Sequence, residues 1–360
     1  GVNDASCIRC GRCVKVCPSQ IFVQEKAGAA VTLHKPENCI VCGHCAAACP
    51  TGAVEHADFP AEKVHPIDYA ALPTPEQVEL LLAVRRSNRA FSQRPVPQEY
   101  LDRIVAAADR APTATNARQL GYTLVTDPAM RREIVEYTLG VFGRIVKRLS
   151  NPLVRPWLSR LLPGVYRYIP AFRRMRREYA EQGVDRILRG ATAVLFIHAP
   201  KESRFGAEDA NLAYQNASLT AESLGVSQVY MGFVLTAVRQ DGKGGLNRML
   251  GLRDRRICAV MALGITDTTE QLASALAAAR TPADRVRALV HVHLHSLLGD
   301  NQAALEVMLY EWRSVSDTYK PGLIVLRDRY ESLWQQVLEE AVAQGAVRAQ
   351  DPHLLRLMLL

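Results

Sequence analysis

Eight of the nine cysteines lie within the first fifty residues, in two copies of the spacing Cys-x-x-Cys-x-x-Cys-x-x-x-Cys-Pro. The two copies comprise Cys7, Cys10, Cys13 and Cys17, and Cys39, Cys42, Cys45 and Cys49. Two-residue intervals let one loop present three thiolates to one face of a compact inorganic core, which a fourth thiolate completes. A disulfide scaffold is rare in a chain without a signal peptide, and zinc sites do not require this doubled pattern. The spacing therefore favours iron–sulfur clusters.

On these two cysteine runs, each followed by a proline, residues 1–58 resemble the bacterial two-cluster ferredoxins. The resemblance implies two 4Fe-4S clusters, with the last cysteine of each run bound to the opposite cluster. One cluster is then expected on Cys7, Cys10, Cys13 and Cys49, and the other on Cys39, Cys42, Cys45 and Cys17. Two adjacent one-electron centres imply electron transfer. The ninth cysteine, Cys258, lies in an apolar run of strand length and is expected to be a buried core residue.

A second group of polar side chains follows a well-marked helix. Thr74 can cap this helix, Pro75 suits its first position, and Gln77 completes a capping-box pattern. Apolar residues then recur on one face, at Val78, Leu81, Leu82 and Val84. The helix leads into Arg-Arg-Ser-Asn-Arg, where three guanidiniums and a hydroxyl can converge on an anion. These residues are Arg85, Arg86, Ser87 and Arg89, and a solvated basic patch is the alternative interpretation.

The Arg-x-Ser-x-Arg stretch is similar to the segment with which nitroreductase-family proteins hold FMN. Residues 111–119 resemble the family's Ala-Pro-Ser-x-x-Asn loop, which packs on the flavin, and residues 221–232 resemble the segment where backbone groups approach its ring. The resemblance spans residues 76–265. It implies that FMN is bound by Arg85, Arg86, Ser87, Arg89, Pro112, Thr113, Ala114, Asn116, Tyr230, Met231 and Gly232.

The order of predicted elements indicates an α+β fold. Helices are expected over residues 98–110 and 208–224, and strands over residues 122–126, 191–199 and 257–264. We therefore predict a central, mainly antiparallel sheet flanked by helices. The resemblance implies an intertwined homodimer with FMN at the interface. Beyond residue 265 the chain departs from the family, whose tail supplies further Lys or Arg to the flavin phosphate. No arrangement of Asp, His or Cys in this domain indicates a catalytic acid or base.

The net charge of +8 comes from one segment of the chain. Residues 131–190 contain fourteen Lys or Arg against five Asp or Glu, a surplus of nine, so the remainder sums to minus one. Within this segment we call residues 139–178 the basic insert; its cations alternate with apolar residues, and four prolines divide it into short helices. Two interpretations remain open, a lid over the flavin with a solvated polar side, or an interfacial segment that binds anionic lipid or an apolar anionic substrate.

Residues 266–360 are expected to be helical. On residues 311–331 and on to Gly345 and Asp351-Pro352, this stretch resembles the ligand-binding half of TetR-type transcriptional regulators. No helix-turn-helix is found, so we expect a ligand-binding or dimerising fragment, or a fused or truncated frame, and no nucleic-acid binding. The expected organisation is a ferredoxin domain (1–58), a linker (59–75), a flavin domain (76–265) and this helical stretch.

Together these features predict an FMN-dependent oxidoreductase. A reduced donor (ferredoxin, flavodoxin or an NAD(P)H-linked reductase) would supply the clusters, which pass electrons to FMN and on to a small nitro, quinone or enone acceptor. The alternatives are a redox or acyl-thioester sensor, and an electron carrier without turnover of its own. No stretch approaches the roughly 20 apolar residues of a membrane span. A cytoplasmic location is expected, with peripheral membrane contact confined to the basic insert.

Overall fold

The structure is a computed structural model, and it describes residues 1–89, 91–153, 155–161, 163–266, 272, 275–277, 279–298 and 320–347. Its N-terminal unit pairs two short helices, α1 (Arg12–Val16) and α2 (His44–Ala48), with a hairpin of β1 (Phe22–Val23) and β2 (Thr32–Leu33). A glycine with φ near +70° precedes each helix. At Gly43 a Cβ would also meet the Phe59 ring at 3.2 Å, so both conformation and space require glycine there.

The central sheet has four strands in the order β3-β4-β6-β5, and every neighbouring pair is antiparallel. The strands are β3 (Gly121–Val125), β4 (Ala193–Pro200), β5 (Ser227–Tyr230) and β6 (Arg255–Gly264). The middle strands β4 and β6 are buried on both faces, which explains their continuous apolar sequence. The predicted antiparallel sheet is confirmed, with strand ends within two residues of the expected positions.

Helices cover both faces of this sheet. On one face lie α4 (Gln98–Asp109) and α9 (Gly206–Ser223), and on the other lie α5 (Pro128–Leu149), α8 (Ile169–Gln182), α10 (Gly232–Gln240) and α11 (Gly245–Met249). The side of α9 facing the sheet is made of fully buried alanines, which allow a close approach. They are Ala210, Ala213, Ala217 and Ala221. Cys258 is 2 % exposed in the core, as predicted.

Helix α3 (Pro75–Val84) has the predicted capping box. The backbone N–H of Gln77 donates to Thr74 Oγ1 at 3.3 Å, and the N–H of Thr74 donates to Gln77 Oε1 at 3.0 Å. The predicted apolar face, however, is not covered within one chain, because no residue of this helix is buried. Its exposed apolar side chains are Val78, Leu80, Leu82 and Val84.

The described parts of the basic insert and of the C-terminal stretch are mainly helical. Between α5 and α8 the insert forms α6 (Arg155–Leu161) and α7 (Pro163–Tyr166). Near the C-terminus, α12 (Pro282–Leu298) and α13 (Lys320–Ala343) pack through a small core that includes the buried Trp334. Of the residues that carried the TetR resemblance, 311–319 and 351–352 lie outside the described residues. In the part of the chain that the structure describes, no helix is long and apolar enough to span a membrane.

Candidate functional site

The cysteines of the N-terminal unit surround two cavities. Each cavity is lined by three cysteines of one run and the last cysteine of the other, which is the grouping that the ferredoxin resemblance implied. One set is Cys17, Cys39, Cys42 and Cys45, and the other is Cys7, Cys10, Cys13 and Cys49. Within the described residues, no three Cys, His, Asp or Glu side chains converge closely enough to hold a single metal ion.

Backbone N–H groups point at the sulfur atoms around these cavities. Ile21 donates to Cys17 Sγ at 3.3 Å, and Ala53 donates to Cys49 Sγ at 3.2 Å. The N–H of Val41 lies 3.4 Å from the sulfur of a third cysteine, Cys39. Such N–H···S bonds favour thiolate over thiol and set the reduction potential of a bound cluster. The donor set therefore fits two 4Fe-4S clusters.

The predicted phosphate segment runs along the edge of β5. Ser87 forms a parallel bridge with Gln228, and the N–H of Asn88 donates to the Gln228 carbonyl at 3.0 Å. The buried Gln228 side chain in turn donates to the Arg86 carbonyl at 3.4 Å. Arg86, Ser87 and Arg89 remain exposed. Among the described residues no carboxylate forms an ion pair with these arginines, as expected of a segment that holds an anion.

A further cation, Arg189, lies beside this segment and was not predicted. Burial, together with the positive charges of Arg89 and Arg186, lowers the pKa of Arg189. The turn that carries it packs against the chain just after Arg89, since a Cβ at Gly190 would lie 3.5 Å from the Phe91 carbonyl oxygen. Positive side chains that are held close together, and that carboxylates do not fully neutralise, favour the binding of an anion. No motif in the sequence marks Arg189, which is a hundred residues from Arg89.

The third predicted segment lies where β5 ends. Met231 is buried, and its N–H donates to the Val260 carbonyl at 2.9 Å, while the Tyr230 hydroxyl donates to Asn211 Oδ1 at 3.3 Å. A Cβ added at Gly232 would meet nothing within 4 Å. The backbone at Gly232 is therefore open to a ligand ring, which fits the expected flavin contact.

The remaining predicted flavin residues form a strained loop. Thr115, Asn116 and Arg118 all have φ near +50°, in the left-handed region that non-glycine residues rarely adopt. The N–H of Ala114 donates to Asp209 Oδ1 at 3.0 Å, which ties the loop to the first turn of α9. Strain of this kind is typical of functional sites.

The structure does not bring this loop to the phosphate segment within one chain. The loop is attached at Asp209, whereas the phosphate segment approaches Glu222 near the other end of α9. Thirteen residues of helix separate the two positions, about 20 Å. Within one chain, the phosphate segment with Arg85, Arg86, Ser87 and Arg89 therefore lies beside β5. The loop with Pro112, Thr113, Ala114 and Asn116 lies at the first turn of α9.

Asn116 instead contacts the N-terminal unit. Its side-chain Nδ2 donates to the carbonyl oxygens of Ile40 at 3.0 Å and Val41 at 2.8 Å. These two residues lie between Cys39 and Cys42. The predicted flavin loop is therefore hydrogen-bonded to a loop that supplies two cysteines of one cavity.

Glu222 is a buried acid beside the phosphate segment. One carboxyl oxygen accepts a hydrogen bond from the Arg86 backbone, and the other has no hydrogen-bond partner in the described part of the chain. Burial raises the pKa of Glu222 from 4.5 to about 7, against the opposing charges of Arg85 and Arg86. Between these pH values the folded chain keeps a proton that the unfolded chain has released. The free energy of unfolding therefore falls as pH rises through this window.

We expect Glu222→Gln to remove this pH dependence. At pH 8 the variant should be more stable than the parent by about 1 kcal/mol, after allowance for partial solvent exposure, because it buries no charge. At pH 5 the two proteins should be nearly equal. Urea unfolding at both pH values measures the difference, and Glu208→Gln, on the exposed surface of the same helix, is the matched control. A gain at pH 5 as large as that at pH 8 would contradict the assignment.

Three family models match the chain. The nitroreductase family model covers residues 82–265, a 4Fe-4S dicluster domain covers residues 6–53, and a tetracyclin repressor-like C-terminal domain covers residues 279–360. These matches confirm the three-part architecture inferred from the sequence.

Two curated relatives match parts of the chain. FMN reductase [NAD(P)H] of Bacillus subtilis (strain 168) is 29 % identical over 155 residues, which are 42 % of this chain and 53 % of the relative. Iodotyrosine deiodinase 1 of Rattus norvegicus is 41 % identical over 59 residues, which are 16 % of this chain and 21 % of the relative. The matches thus span about half and about a fifth of these relatives. Among solved structures, an FMN-bound nitroreductase from Bacteroides fragilis NCTC 9343 matches with a TM-score of 0.42 and 19 % identity, covering 53 % of this chain and 89 % of that one.

Proposed function

The chain belongs to the nitroreductase family, and from this premise we propose that its two 4Fe-4S clusters deliver electrons to FMN, which reduces an electron-poor acceptor. When bound, FMN supplies the redox chemistry, accepting electrons and passing them on as hydride. The acceptor class that suits this chemistry is a nitro, quinone or enone compound. The proposed domain limits are residues 1–58 for the clusters, 59–75 for the linker and 76–265 for the flavin.

The contact between Asn116 and the Cys39–Cys42 loop carries this proposal. Two hydrogen bonds hold the predicted flavin loop against backbone that supplies ligands to one cluster. The cluster on Cys17, Cys39, Cys42 and Cys45 would then be the one nearer the flavin, and the cluster on Cys7, Cys10, Cys13 and Cys49 would be nearer the donor. Donors of suitable chemistry are a reduced ferredoxin, a flavodoxin or an NAD(P)H-linked reductase, and the name of the Bacillus subtilis relative specifies NAD(P)H.

The protein residues would hold and orient the flavin. Arg86, Ser87 and Arg89 present donors to the phosphate, Arg189 adds positive charge, and Gly232 leaves room for the ring. Because the Asn116 loop and the phosphate segment contact α9 at positions about 20 Å apart along the helix within one chain, a second subunit could supply the other half of each site. The exposed apolar face of α3 supports this proposed homodimer. The proposed location is the cytoplasm.

The function is tested by anaerobic purification followed by iron, sulfide and flavin quantification. We expect about eight irons per chain, for two cubanes, and one FMN. Dithionite should bleach the flavin, and a nitroaromatic or quinone should reoxidise it catalytically. The rival function, a redox or acyl-thioester sensor that reports to the C-terminal stretch, predicts bound flavin with little turnover. Iron without flavin would contradict the proposed oxidoreductase.

Replacing Asn116 with alanine should uncouple the two cofactor domains. Both hydrogen bonds to the cysteine loop would be lost, and at about 1 kcal/mol each this weakens docking by roughly 30-fold. Flavin reduction by a ferredoxin donor, followed in a stopped-flow spectrophotometer, should slow accordingly while iron content stays constant. The matched control is Asn216→Ala, which removes a side-chain bond to the Ala107 carbonyl inside the flavin domain. Equal flavin reduction rates in both variants would contradict the proposed path.

A further inference from the structure

The basic insert consists of a packed stem and an exposed tip. In the stem, the rings of Phe142 and Phe172 stack with centroids 4.5 Å apart, and Phe233 of α10 meets both edge-on. The Tyr166 hydroxyl donates to the Leu149 carbonyl at 2.8 Å, which fixes the end of the tip to the stem. The stem is therefore part of the domain core, and the exposed tip comprises residues 151–153, 155–161 and 163–168.

The tip exposes its largest apolar side chains to solvent. Leu153, Trp157 and Leu161 are 84 %, 76 % and 72 % exposed. Trp157 and Leu161 are four residues apart on α6, so they share one face of that helix. A lid requires apolar side chains turned inward, and these are turned outward. Of the two interpretations of the insert, the interfacial one accounts for this tip.

Positive charge surrounds these apolar side chains. Residues 140–177 contain ten Lys or Arg and no Asp or Glu, and all ten cations are exposed. Among the described residues, only Arg174 of this set forms an ion pair, with Glu178 at 3.7 Å. The exposed cations nearest the apolar face in sequence are Arg155 and Arg160, which lie on α6 itself.

Charge distinguishes this surface from the other exposed apolar helix. Helix α3 also exposes apolar side chains, but it carries Glu76 and Glu79 and no cation. An acidic apolar face is repelled by anionic membranes, whereas an aromatic and basic face is attracted to them. Of these two described surfaces, the tip is the one whose charge suits an anionic bilayer.

We propose that the tip of the basic insert binds the surface of an anionic lipid bilayer. Trp157 and Leu161 enter the headgroup region, where an indole is stable with one side apolar and one side hydrated. Arg155 and Arg160 lie at the level of the lipid phosphates. The chain would thus attach to the membrane peripherally, with the stem and the rest of the flavin domain outside the lipid.

The test is flotation of the holoprotein with lipid vesicles. One set of vesicles contains equal parts of phosphatidylcholine and phosphatidylglycerol, and the other contains phosphatidylcholine alone. We expect binding to the anionic vesicles, weakened by salt because the attraction is partly electrostatic. Failure to bind the anionic vesicles, or equal binding to both kinds, overturns the proposal. Iron and flavin content, measured on the same samples, separate this outcome from a failure of the proposed enzymatic function.

Two variants and one control locate the binding surface. Trp157→Ala should weaken binding about tenfold through lost apolar burial. The double variant Arg155→Glu, Arg160→Glu should weaken it at least about 30-fold, since each cation strengthens binding to an anionic membrane roughly fivefold. Tyr69→Ala removes an aromatic ring of equal exposure, 75 %, from the linker and should change nothing.

Competition with duplex DNA tests whether the tip binds polyanions in general instead of lipid. If duplex DNA bound as tightly as anionic vesicles, and Trp157→Ala affected neither ligand, the arginines would form a general polyanion site and the membrane proposal would be wrong. Circular dichroism melting curves of each variant show that it is folded. Because the substituted side chains are all exposed, their melting temperatures should match the parent.

Discussion

Replacing Cys45 with serine is expected to remove one 4Fe-4S cluster and to leave the other in place. Cys45 is buried in the cavity that it shares with Cys17, Cys39 and Cys42. A serine hydroxyl is a poor substitute for the thiolate, so the cubane loses a ligand at its least accessible position. Iron should fall from about eight to about four per chain, because each cubane holds four. Iron and sulfide analysis of anaerobically purified protein measures the change.

A matched substitution elsewhere controls for the loss of a buried sulfur. Cys258 is 2 % exposed in the core of the flavin domain, and its thiol donates to the Arg256 carbonyl at 3.3 Å. Cys258→Ser should therefore keep all eight irons while losing some stability. If Cys45→Ser and Cys258→Ser retained the same iron, Cys45 would not be a ligand.

A cysteine-to-serine substitution in the other cysteine set tests which cluster lies nearer the flavin. Cys13→Ser removes the cluster expected to lie nearer the donor, and Cys45→Ser removes the one expected to lie nearer the flavin. Both variants should contain about four irons. Because dithionite also reduces flavin directly, the readout is magnetic. In half-reduced protein the flavin radical should relax faster in Cys13→Ser than in Cys45→Ser, through coupling to a nearby reduced cluster, as EPR power saturation measures. The opposite result would reverse the proposed order of the clusters.

Much of this architecture follows from local sequence. The capping box at Thr74 and Gln77 and the apolar run around Cys258 depend on residues close together in the chain, and each formed where it was predicted. The cysteines are grouped around the two cavities as the ferredoxin resemblance implied, and that grouping came from the resemblance, not from the spacing alone. Where an element depends mainly on residues close together in the chain, the sequence pattern alone was sufficient to predict it.

Other features depend on contacts between distant residues, and the sequence does not show them. The apolar face of α3 is predicted correctly as a pattern, but nothing in that pattern reveals that no part of the same chain covers it. The sequence also does not show that the amide nitrogen of Asn116, a predicted flavin contact, donates to the carbonyl oxygens of Ile40 and Val41, about 75 residues earlier. Arg189 escaped prediction for the same reason, because its neighbour Arg89 is brought close only by the fold.

Replacing Arg89 or Arg189 with alanine is expected to weaken FMN binding strongly. A charge-assisted hydrogen bond to phosphate contributes about 2 kcal/mol, so Arg89→Ala should raise the Kd of FMN roughly 30-fold. Arg189 acts beside it, and its removal should raise the Kd about tenfold. Titration of the flavin-free protein with FMN, followed by flavin fluorescence, measures both values. Arg103→Ala, an exposed arginine on α4, is the control and should leave the Kd unchanged.

The stability of the flavin-free protein distinguishes an anion site from a structural role. Without a bound anion, burial disfavours the charge of Arg189, and repulsion by Arg89 and Arg186 adds to this cost, which the attraction of Asp185 offsets only in part. Arg189→Ala should therefore leave the unfolding temperature of the flavin-free protein unchanged or higher, while FMN raises that temperature less than in the parent. A structural arginine would show the reverse, a lower unfolding temperature with an unchanged Kd. Because the two roles predict opposite signs in the same pair of measurements, the variant decides whether Arg189 helps to hold the FMN phosphate.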